Sequence, residues 1–230
     1  MFKQILKKII YFVLYPIPSK YVVMVHHVSL TPKNQKSGCL CDSNDFEKLL
    51  IQYQNEFNSI DDFNNNHIVL TFDDGLEDLY TIAYPLLRKY RIPFTVFIVT
   101  DFIDQPGYLT TSQIIEMSHD PICSIGSHGV THLVFPKLSY AEKENELKRS
   151  KEILEKIIDK SVCYFAYSHG QYDHDTLKLV KKYYSKAFTA GGLGLNNFPL
   201  VRNKYLYQRL NFSNDSVVQT LNVLKSIKKG

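Results

Sequence analysis

Residues 68–75 read Ile68-Val69-Leu70-Thr71-Phe72-Asp73-Asp74-Gly75, an apolar strand pattern that ends in two adjacent carboxylates. Burying two such groups unpaired is costly because each loses its hydration. A bound metal removes that cost, since one carboxylate can ligate the cation while the other stays ionised beside it as a base. Gly75 permits a sharp exit of the chain. Taken alone, the stretch is equally consistent with an Asp-Asp-Gly turn at the surface.

Outward from this strand, apolar or β-branched runs alternate with helical patterns, which is typical of βα units. Predicted strands are Tyr21–His26, Ile68–Phe72, Phe94–Val99, Ile122–Ser127, Val162–Tyr167, Lys186–Thr189 and Tyr205–Phe212. Predicted helices are Asn44–Phe57, Leu79–Tyr90, Ser139–Ile158 and Asp173–Tyr184. The pattern predicts an α/β fold, a distorted (β/α) barrel of about seven parallel strands, with a doubly wound open sheet as the alternative. Both architectures gather chemistry at the carboxyl ends of the strands.

A pair of histidines follows another predicted strand, in Ile125-Gly126-Ser127-His128-Gly129-Val130-Thr131-His132. On one helical turn, residues four apart project from the same face, so both imidazoles can reach one ion. Two histidines and a carboxylate leave coordination positions open, as in a catalytic zinc site. The alternative is two unrelated loop histidines, which the paired aspartates at another strand end disfavour.

Composition excludes several classes of protein. The 230 residues are 44% hydrophobic and 13% aromatic, which is typical of a globular domain and not of a disordered chain. The net charge of +4 is mild and spread over predicted helices, so we expect no nucleic-acid partner. The four cysteines form no dense disulfide framework, and a reducing compartment is expected.

The N-terminus is basic and apolar, from Met1 to Pro16. No small-residue cleavage site follows it, and the apolar run is shorter than the ~20 residues that cross a bilayer. We therefore predict an N-terminal amphipathic segment at residues 1–20, with residues 1–16 in contact with the domain or a membrane surface, and a catalytic domain at residues 21–230. Secretion is the less favoured alternative.

Two of these motifs resemble those of a known family. Residues 71–75 (Thr-Phe-Asp-Asp-Gly) and 127–132 (Ser-His-Gly-Val-Thr-His) resemble the first two motifs of the polysaccharide deacetylases, carbohydrate esterase family four. The likeness runs from about Tyr21 to Phe212. It implies a distorted (β/α) barrel that removes acetyl groups from a carbohydrate. Carried over by position, Asp73 is the general base, and the ligands of a divalent metal, Zn²⁺ by expectation, are Asp74, His128 and His132.

The third motif of the family departs from its usual pattern here. It aligns with Phe165-Ala166-Tyr167-Ser168-His169-Gly170, where Ala166 stands in the place of an arginine, and Ser168 and His169 replace a proline and an aromatic residue. We assign Tyr167 and His169 substrate-binding or supporting roles, and a backbone N–H near His169 as an oxyanion donor. Arg209 either replaces the missing cation beside Asp73 or is an ordinary edge-strand arginine.

The general acid is predicted at the other end of the chain. No histidine follows His174, so the late Leu-x-His motif of most relatives is missing. The first strand ends in His26-His27, which resembles the permuted branch that includes exopolysaccharide N-deacetylases. By position, His26 is the acid, and imidazole suits that role because it exchanges protons near neutral pH.

The resulting prediction is a metal-dependent hydrolase that removes acetyl groups from N-acetylated sugars of a bacterial surface polysaccharide or its precursor. Its partner is an acetylated oligo- or polysaccharide, and its expected location is cytoplasmic, with contact at the membrane face. Two alternatives remain: an esterase for O-acetylated sugars that uses the same site, and a non-catalytic carbohydrate-binding relative.

Overall fold

The computed structural model describes residues 20–30, 39–62, 67–190 and 203–225. Residues 1–19, which hold most of the predicted amphipathic segment, lie outside these ranges. No helix within the four ranges is long and apolar enough to cross a bilayer. The four cysteines are free thiols in this structure.

Nine strands and six α-helices make up the described chain. The strands are β1 (Lys20–Val25), β2 (His27–Ser29), β3 (Leu40–Asp42), β4 (His67–Phe72), β5 (Phe94–Ile98), β6 (Cys123–Ser127), β7 (Tyr164–Ala166), β8 (Lys186–Phe188) and β9 (Leu210–Asn211). The helices are α1 (Ser43–Gln52), α2 (Tyr84–Tyr90), α3 (Thr111–His119), α4 (Tyr140–Ile158), α5 (His174–Tyr183) and α6 (Val217–Leu224). A π-helical turn at Leu79–Ala83 leads into α2.

Seven of these strands form one parallel sheet in the order β8-β7-β6-β5-β4-β1-β9. From β1 to β8 the order follows the chain in one direction, whereas a doubly wound sheet reverses direction at a switch point. The sheet curls into the distorted (β/α) barrel expected from the sequence, and that prediction is confirmed.

The segment of residues 204–212, which contains β9, brings the two edges of the sheet together. At its start, Ala187 and Thr189 beside β8 donate backbone hydrogen bonds to Lys204 and Tyr207 (2.9 and 2.8 Å). At its end, Phe212 donates to the carbonyl of Met24 in β1 (2.8 Å). Because one short segment pairs with both edges, only two of the eight residues predicted as the last strand form a ladder.

Apolar side chains pack on both faces of the sheet. The outer face and the helices share a large core that includes Phe72, Val96 and Leu147. The inner face holds a smaller cluster. Its members are Val22, Ile60, Val69, Phe97, Tyr164, Ala166 and Phe188. The alternation of side chains along each strand therefore divides the strand residues between two cores.

Four elements were not predicted from the sequence: β2, β3, α3 and α6. The strands β2 and β3 are three residues each and pair only with one another, too short for a periodic signal. Helix α3 begins with a capping box between Thr110 and Gln113, so its start signal was present in the sequence. Helix α1 ends at Gln52, five residues before its predicted end.

A tight contact inside the barrel tests this architecture. A Cβ atom added to Gly126 would lie 2.5 Å from Cδ1 of Phe97 and 3.2 Å from the carbonyl oxygen of Tyr164. We expect Gly126→Ala to lower the free energy of unfolding by about 1–3 kcal/mol, because the extra methyl group overpacks the inner core. Urea denaturation measures the change. In the double variant with Phe97→Leu, the loss should be smaller than the sum of the single losses, since the shorter side chain makes room. An unchanged unfolding midpoint in Gly126→Ala would show that this face is not closely packed.

Candidate active site

The carboxyl ends of four neighbouring strands bring the predicted site residues to one edge of the barrel. Val25 and Phe72 are register partners in β1 and β4, so the residues that follow them, His26 and Asp73, lie side by side. The backbone N–H of Asp73 donates to the carbonyl of Val25 (3.1 Å). His128 follows β6, and its backbone N–H donates to the carbonyl of Ile98 (2.9 Å), which places it beside the end of β5. Polar groups that are distant in sequence therefore meet at one edge of the barrel.

Three side chains converge in a geometry that suits a metal ion. Oδ1 of Asp74 lies 3.5 Å from Nε2 of His128 and 3.4 Å from Nε2 of His132. Ligand atoms about 2.0–2.1 Å from a zinc ion at tetrahedral angles are about 3.4 Å apart. Oδ1 of Asp74 is buried and has no hydrogen-bond partner among the described residues. A buried carboxylate oxygen between two imidazole nitrogens fits a divalent cation.

The surroundings of His128 and His132 suit two ligands of a metal ion. Nδ1 of His128 donates to the carbonyl of Ala166 (2.8 Å), which leaves the lone pair of Nε2 for a ligand. Burial lowers the pKa of His132 to about 4, and the neighbouring charge of His128 acts in the same direction. At neutral pH His132 is therefore an acceptor and not a cation.

The two histidines approach each other through a loop and not through the helical turn expected from their spacing. Gly129 and His132 have φ angles of +88° and +62°, outside the helical region. The ring centroids of His128 and His132 are nevertheless 4.9 Å apart. The helical interpretation was wrong because the polypeptide turns here at a glycine that adopts a left-handed conformation.

The exit from β4 also depends on left-handed residues. Asp74 has φ +70° and Gly75 has φ +72°. This conformation is rare for residues with a side chain, although aspartate tolerates it better than most. It turns the chain so that the two carboxylates separate: Asp73 is buried inside the barrel and Asp74 faces the two histidines. Backbone strain at a site of this kind is common where function requires a fixed orientation.

Asp73 forms a bidentate ion pair with Arg209. Nη1 and Nη2 of Arg209 donate to Oδ1 and Oδ2 of Asp73 at 2.6 and 2.7 Å, and Arg209 is itself 2% exposed. Nε of Arg209 donates to the carbonyl of Thr189 (3.0 Å). Burial by itself raises the pKa of the Asp73 carboxyl, but the charges of Arg209 and then His128 lower it well below its ordinary value. Of the two placements left open for Arg209, the structure has the one beside Asp73.

His26 lies next to this pair, and its Nδ1 is buried without a hydrogen-bond partner in the part of the chain that the structure describes. Its charge lowers the pKa of Asp73, which reflects their proximity. The neighbouring His27 turns elsewhere and donates from Nδ1 to Asp78 (2.6 Å). That hydrogen bond raises the pKa of His27 above its ordinary value. The two consecutive histidines thus have different surroundings.

The two supporting residues of the third motif differ in exposure. Tyr167 is buried, and its hydroxyl donates to the carbonyl of Tyr205 (3.0 Å), which favours the supporting role. His169 is exposed, with its Nε2 3.2 Å from the carbonyl oxygen of His132 and its ring centroid 4.5 Å from that of His132. Ser168 is buried and donates to the carbonyl of His128 (3.1 Å). The altered motif therefore still packs against the histidine loop.

One residue that contacts the site was missed in the sequence. Glu146 of α4 is buried and accepts three hydrogen bonds from residues between His128 and His132. Most residues around it in this helix are charged, a pattern typical of a solvated helix face. A signal existed, however: Glu146 lies three residues after Lys143 and four before Ser150, which both fall on the buried stripe.

Comparison with known proteins identifies the family. The family model for polysaccharide deacetylases matches residues 61–188, more than half of the chain. Over 115 residues the chain is 34% identical to YxkH of Bacillus subtilis, and this covers 50% of the chain and 41% of that protein. Over 135 residues it is 29% identical to poly-beta-1,6-N-acetyl-D-glucosamine N-deacetylase of Staphylococcus aureus, covering 52% of the chain and 46% of the relative.

The solved structures agree. BC0361, a polysaccharide deacetylase from Bacillus cereus, superposes with a TM-score of 0.76 at 29% identity, over 89% of this chain and 68% of that one. The matched region spans less than half the length of the two curated relatives. Fold, motif positions and family match converge on one conclusion: the chain belongs to the polysaccharide deacetylase family.

Proposed function

We propose that this protein is a metal-dependent hydrolase that removes acetyl groups from N-acetylated sugars of a bacterial surface polysaccharide or its precursor. The observation that carries the proposal is the pairing of a buried, ionised Asp73 with an unpartnered Asp74 oxygen between two imidazoles. The name of the Staphylococcus aureus relative, an N-deacetylase of an N-acetylglucosamine polymer, supports the substrate class.

Asp74, His128 and His132 would hold the metal, with Zn²⁺ the ion expected from an Asp and two His ligands. When bound there, the ion supplies a Lewis acid that polarises an acyl carbonyl and makes water more acidic. The hydrogen bond from His128 to Ala166 orients the ring for this task. Metal affinity should therefore depend on these three side chains and not on Asp73.

Asp73 acts as the general base that takes the proton of the attacking water. Its Oδ2 lies 3.8 Å from Nε2 of His128, so base and ligands border the same space. Each carboxylate oxygen accepts one hydrogen bond from Arg209 and keeps a lone pair for a proton. Arg209 holds the carboxylate in one orientation and keeps it ionised at neutral pH.

His26 donates a proton to the nitrogen that leaves the sugar amide. Its position beside Asp73, on the adjacent strand end, supports this role. A backbone N–H near His169, at the start of the one-turn helix Ser168–Gly170, would donate to the developing oxyanion. Neither group needs the arginine, proline or aromatic residue that the third motif usually contains.

The location of the protein stays a prediction from the sequence. We propose that the protein acts at the cytoplasmic face of a membrane, which it contacts through the basic and apolar residues 1–16. Co-sedimentation of the full chain with vesicles containing anionic lipid measures that contact. We expect binding that weakens as salt is added, and no sedimentation at low salt would contradict the proposed contact.

Asp73→Asn and His26→Ala separate catalysis from metal binding. Both variants should lose acetate release from N-acetylglucosamine oligomers by at least about 10²-fold, the contribution of a general base or acid. Both should still bind one equivalent of Zn²⁺, whereas His128→Ala should not. His119→Ala is the matched control, since His119 lies at the end of α3 away from the pocket and should keep wild-type activity.

Wild-type rates of acetate release in Asp73→Asn or His26→Ala would overturn these role assignments. Release of acetate from O-acetylated but not N-acetylated oligosaccharides would identify an esterase instead. Stoichiometric zinc binding without acetate release from either substrate would indicate a carbohydrate-binding protein.

Substitutions of Arg209 test whether its ion pair with Asp73 contributes to catalysis. Arg209→Met leaves the carboxylate of Asp73 buried without its cationic partner, which disfavours the ionised form that the base needs. We therefore expect kcat for acetate release to fall by at least about 10²-fold. Arg209→Lys keeps the charge but loses the bidentate geometry, and an intermediate rate is expected. Circular dichroism and thermal unfolding check that each variant folds. A folded Arg209→Met variant with wild-type kcat would show that the ion pair is structural only.

A further inference from the structure

The loop between the two histidine ligands is wrapped around a single buried carboxylate. Oε2 of Glu146 accepts hydrogen bonds from the backbone N–H groups of Val130 (2.7 Å) and Thr131 (3.0 Å). Oε1 accepts a third from the hydroxyl of Thr131 (2.8 Å). Glu146 is 5% exposed, so its charge is compensated by these loop donors and not by water. Hydrogen bonds to an ionised acceptor of this kind are among the strongest in proteins.

The backbone of the loop is shaped to fit this carboxylate. Two successive N–H groups converge on one oxygen, the arrangement of a backbone nest for an anion. Gly129 precedes them with φ +88°, and a Cβ atom there would lie 3.0 Å from Oε2 of Glu146. The chain therefore passes so close to the carboxylate that a side chain at this position would crowd it.

Glu146 projects from a rigid support. It lies in the 19-residue helix α4, which begins with a capping box between Ser139 and Glu142. One turn later, Ser150 is hydrogen-bonded to Ser127 (2.7 Å), whose hydroxyl accepts from the N–H of Gly129 (3.2 Å). The helix thus holds both the start and the middle of the segment from His128 to His132.

From this geometry we propose that Glu146 is a positioning residue of the metal centre. Its carboxylate fixes the loop in the conformation that sets the spacing between His128 and His132 before any ion binds. This inference rests on the metal site proposed above. It predicts that metal affinity depends on a side chain that never touches the metal, because a loop without its anion samples other spacings of the two imidazoles.

The affinity for Zn²⁺, measured by competition with a chromophoric chelator, tests the proposal without using activity. We expect Glu146→Ala to weaken zinc binding by about 10–100-fold, the usual cost of losing a group that orients metal ligands. In Glu146→Gln one oxygen still accepts from both backbone N–H groups, and the amide can donate to Thr131, so affinity should stay within about threefold. The visible spectrum of the Co²⁺-loaded protein should change in Glu146→Ala and not in Glu146→Gln.

Glu155→Ala is the matched control. Glu155 lies in the same helix and also accepts from a loop N–H, that of Val162 (2.9 Å), but this loop follows the helix and leads to β7. Its removal should lower stability and leave zinc affinity within about twofold of the wild type. A loss of affinity confined to position 146 then reflects the ligand loop and not a general loosening of α4.

A folded Glu146→Ala variant that binds Zn²⁺ as tightly as the wild type would overturn the inference and leave the metal site intact. Wild-type protein that binds no Zn²⁺ would overturn the metal site and this inference together. If Glu146→Ala does not fold, Glu146→Asp takes its place. Its side chain is one methylene shorter and cannot reach all three donors, so the same weakening is expected and an unchanged affinity contradicts the proposal.

Discussion

The buried ion pair between Asp73 and Arg209 links the ends of the barrel to its chemistry. Asp73 follows β4, in the middle of the sheet, while Arg209 immediately precedes β9 at its edge. A carboxylate buried this deeply would be protonated or displaced without a partner, because desolvation penalises its charged form. The guanidinium can reach it only because residues 204–212 pair with both edges of the sheet. The same segment therefore closes the barrel and supplies the guanidinium that keeps the proposed base ionised.

A second constraint acts on the neighbouring carboxylate. The left-handed turn at Asp74 and Gly75 points the two adjacent acidic side chains in different directions, one toward Arg209 and one toward the histidines. Two carboxylates that shared one environment would repel each other and could not both stay ionised. The separation gives them different partners, and so allows different roles for residues that are neighbours in sequence. The barrel brings both carboxylates to one edge of the sheet, and the backbone conformation at Asp74 and Gly75 directs each toward a different partner.

The sequence predicted the strands well because their apolar runs are short and bounded. It predicted that the candidate site residues would lie close together because they follow strand ends. Asp73, Asp74, His128 and His132 come together as parallel topology requires. It did not predict the loop conformation of His128–His132, since spacing by four is shared by helices and by turns at glycine. It left two placements open for Arg209, because a pairing across 136 residues has no local signature.

The burial of Glu146 and the short length of β9 are two further features that local sequence does not predict. From sequence, a glutamate in a highly charged helix is expected to face solvent. Glu146 is buried because it lies on the same face of the helix as Lys143 and Ser150, which are also buried. The sequence predicts one continuous last strand over Tyr205–Phe212, but these residues form hydrogen bonds with both edges of the sheet. In both cases tertiary contacts decide, and these are set by the closure of the barrel and not by neighbouring residues in the chain.

The most direct measurement is a crystal structure of the protein grown with Zn²⁺ and acetate, with anomalous diffraction recorded at the zinc edge. We expect one zinc peak about 2.0–2.2 Å from Asp74, His128 and His132. Asp73 should remain paired with Arg209, outside the coordination sphere and within hydrogen-bond distance of a water molecule or the acetate. A zinc ion ligated by Asp73, or no zinc at this edge of the barrel, would contradict the separation of base and ligands.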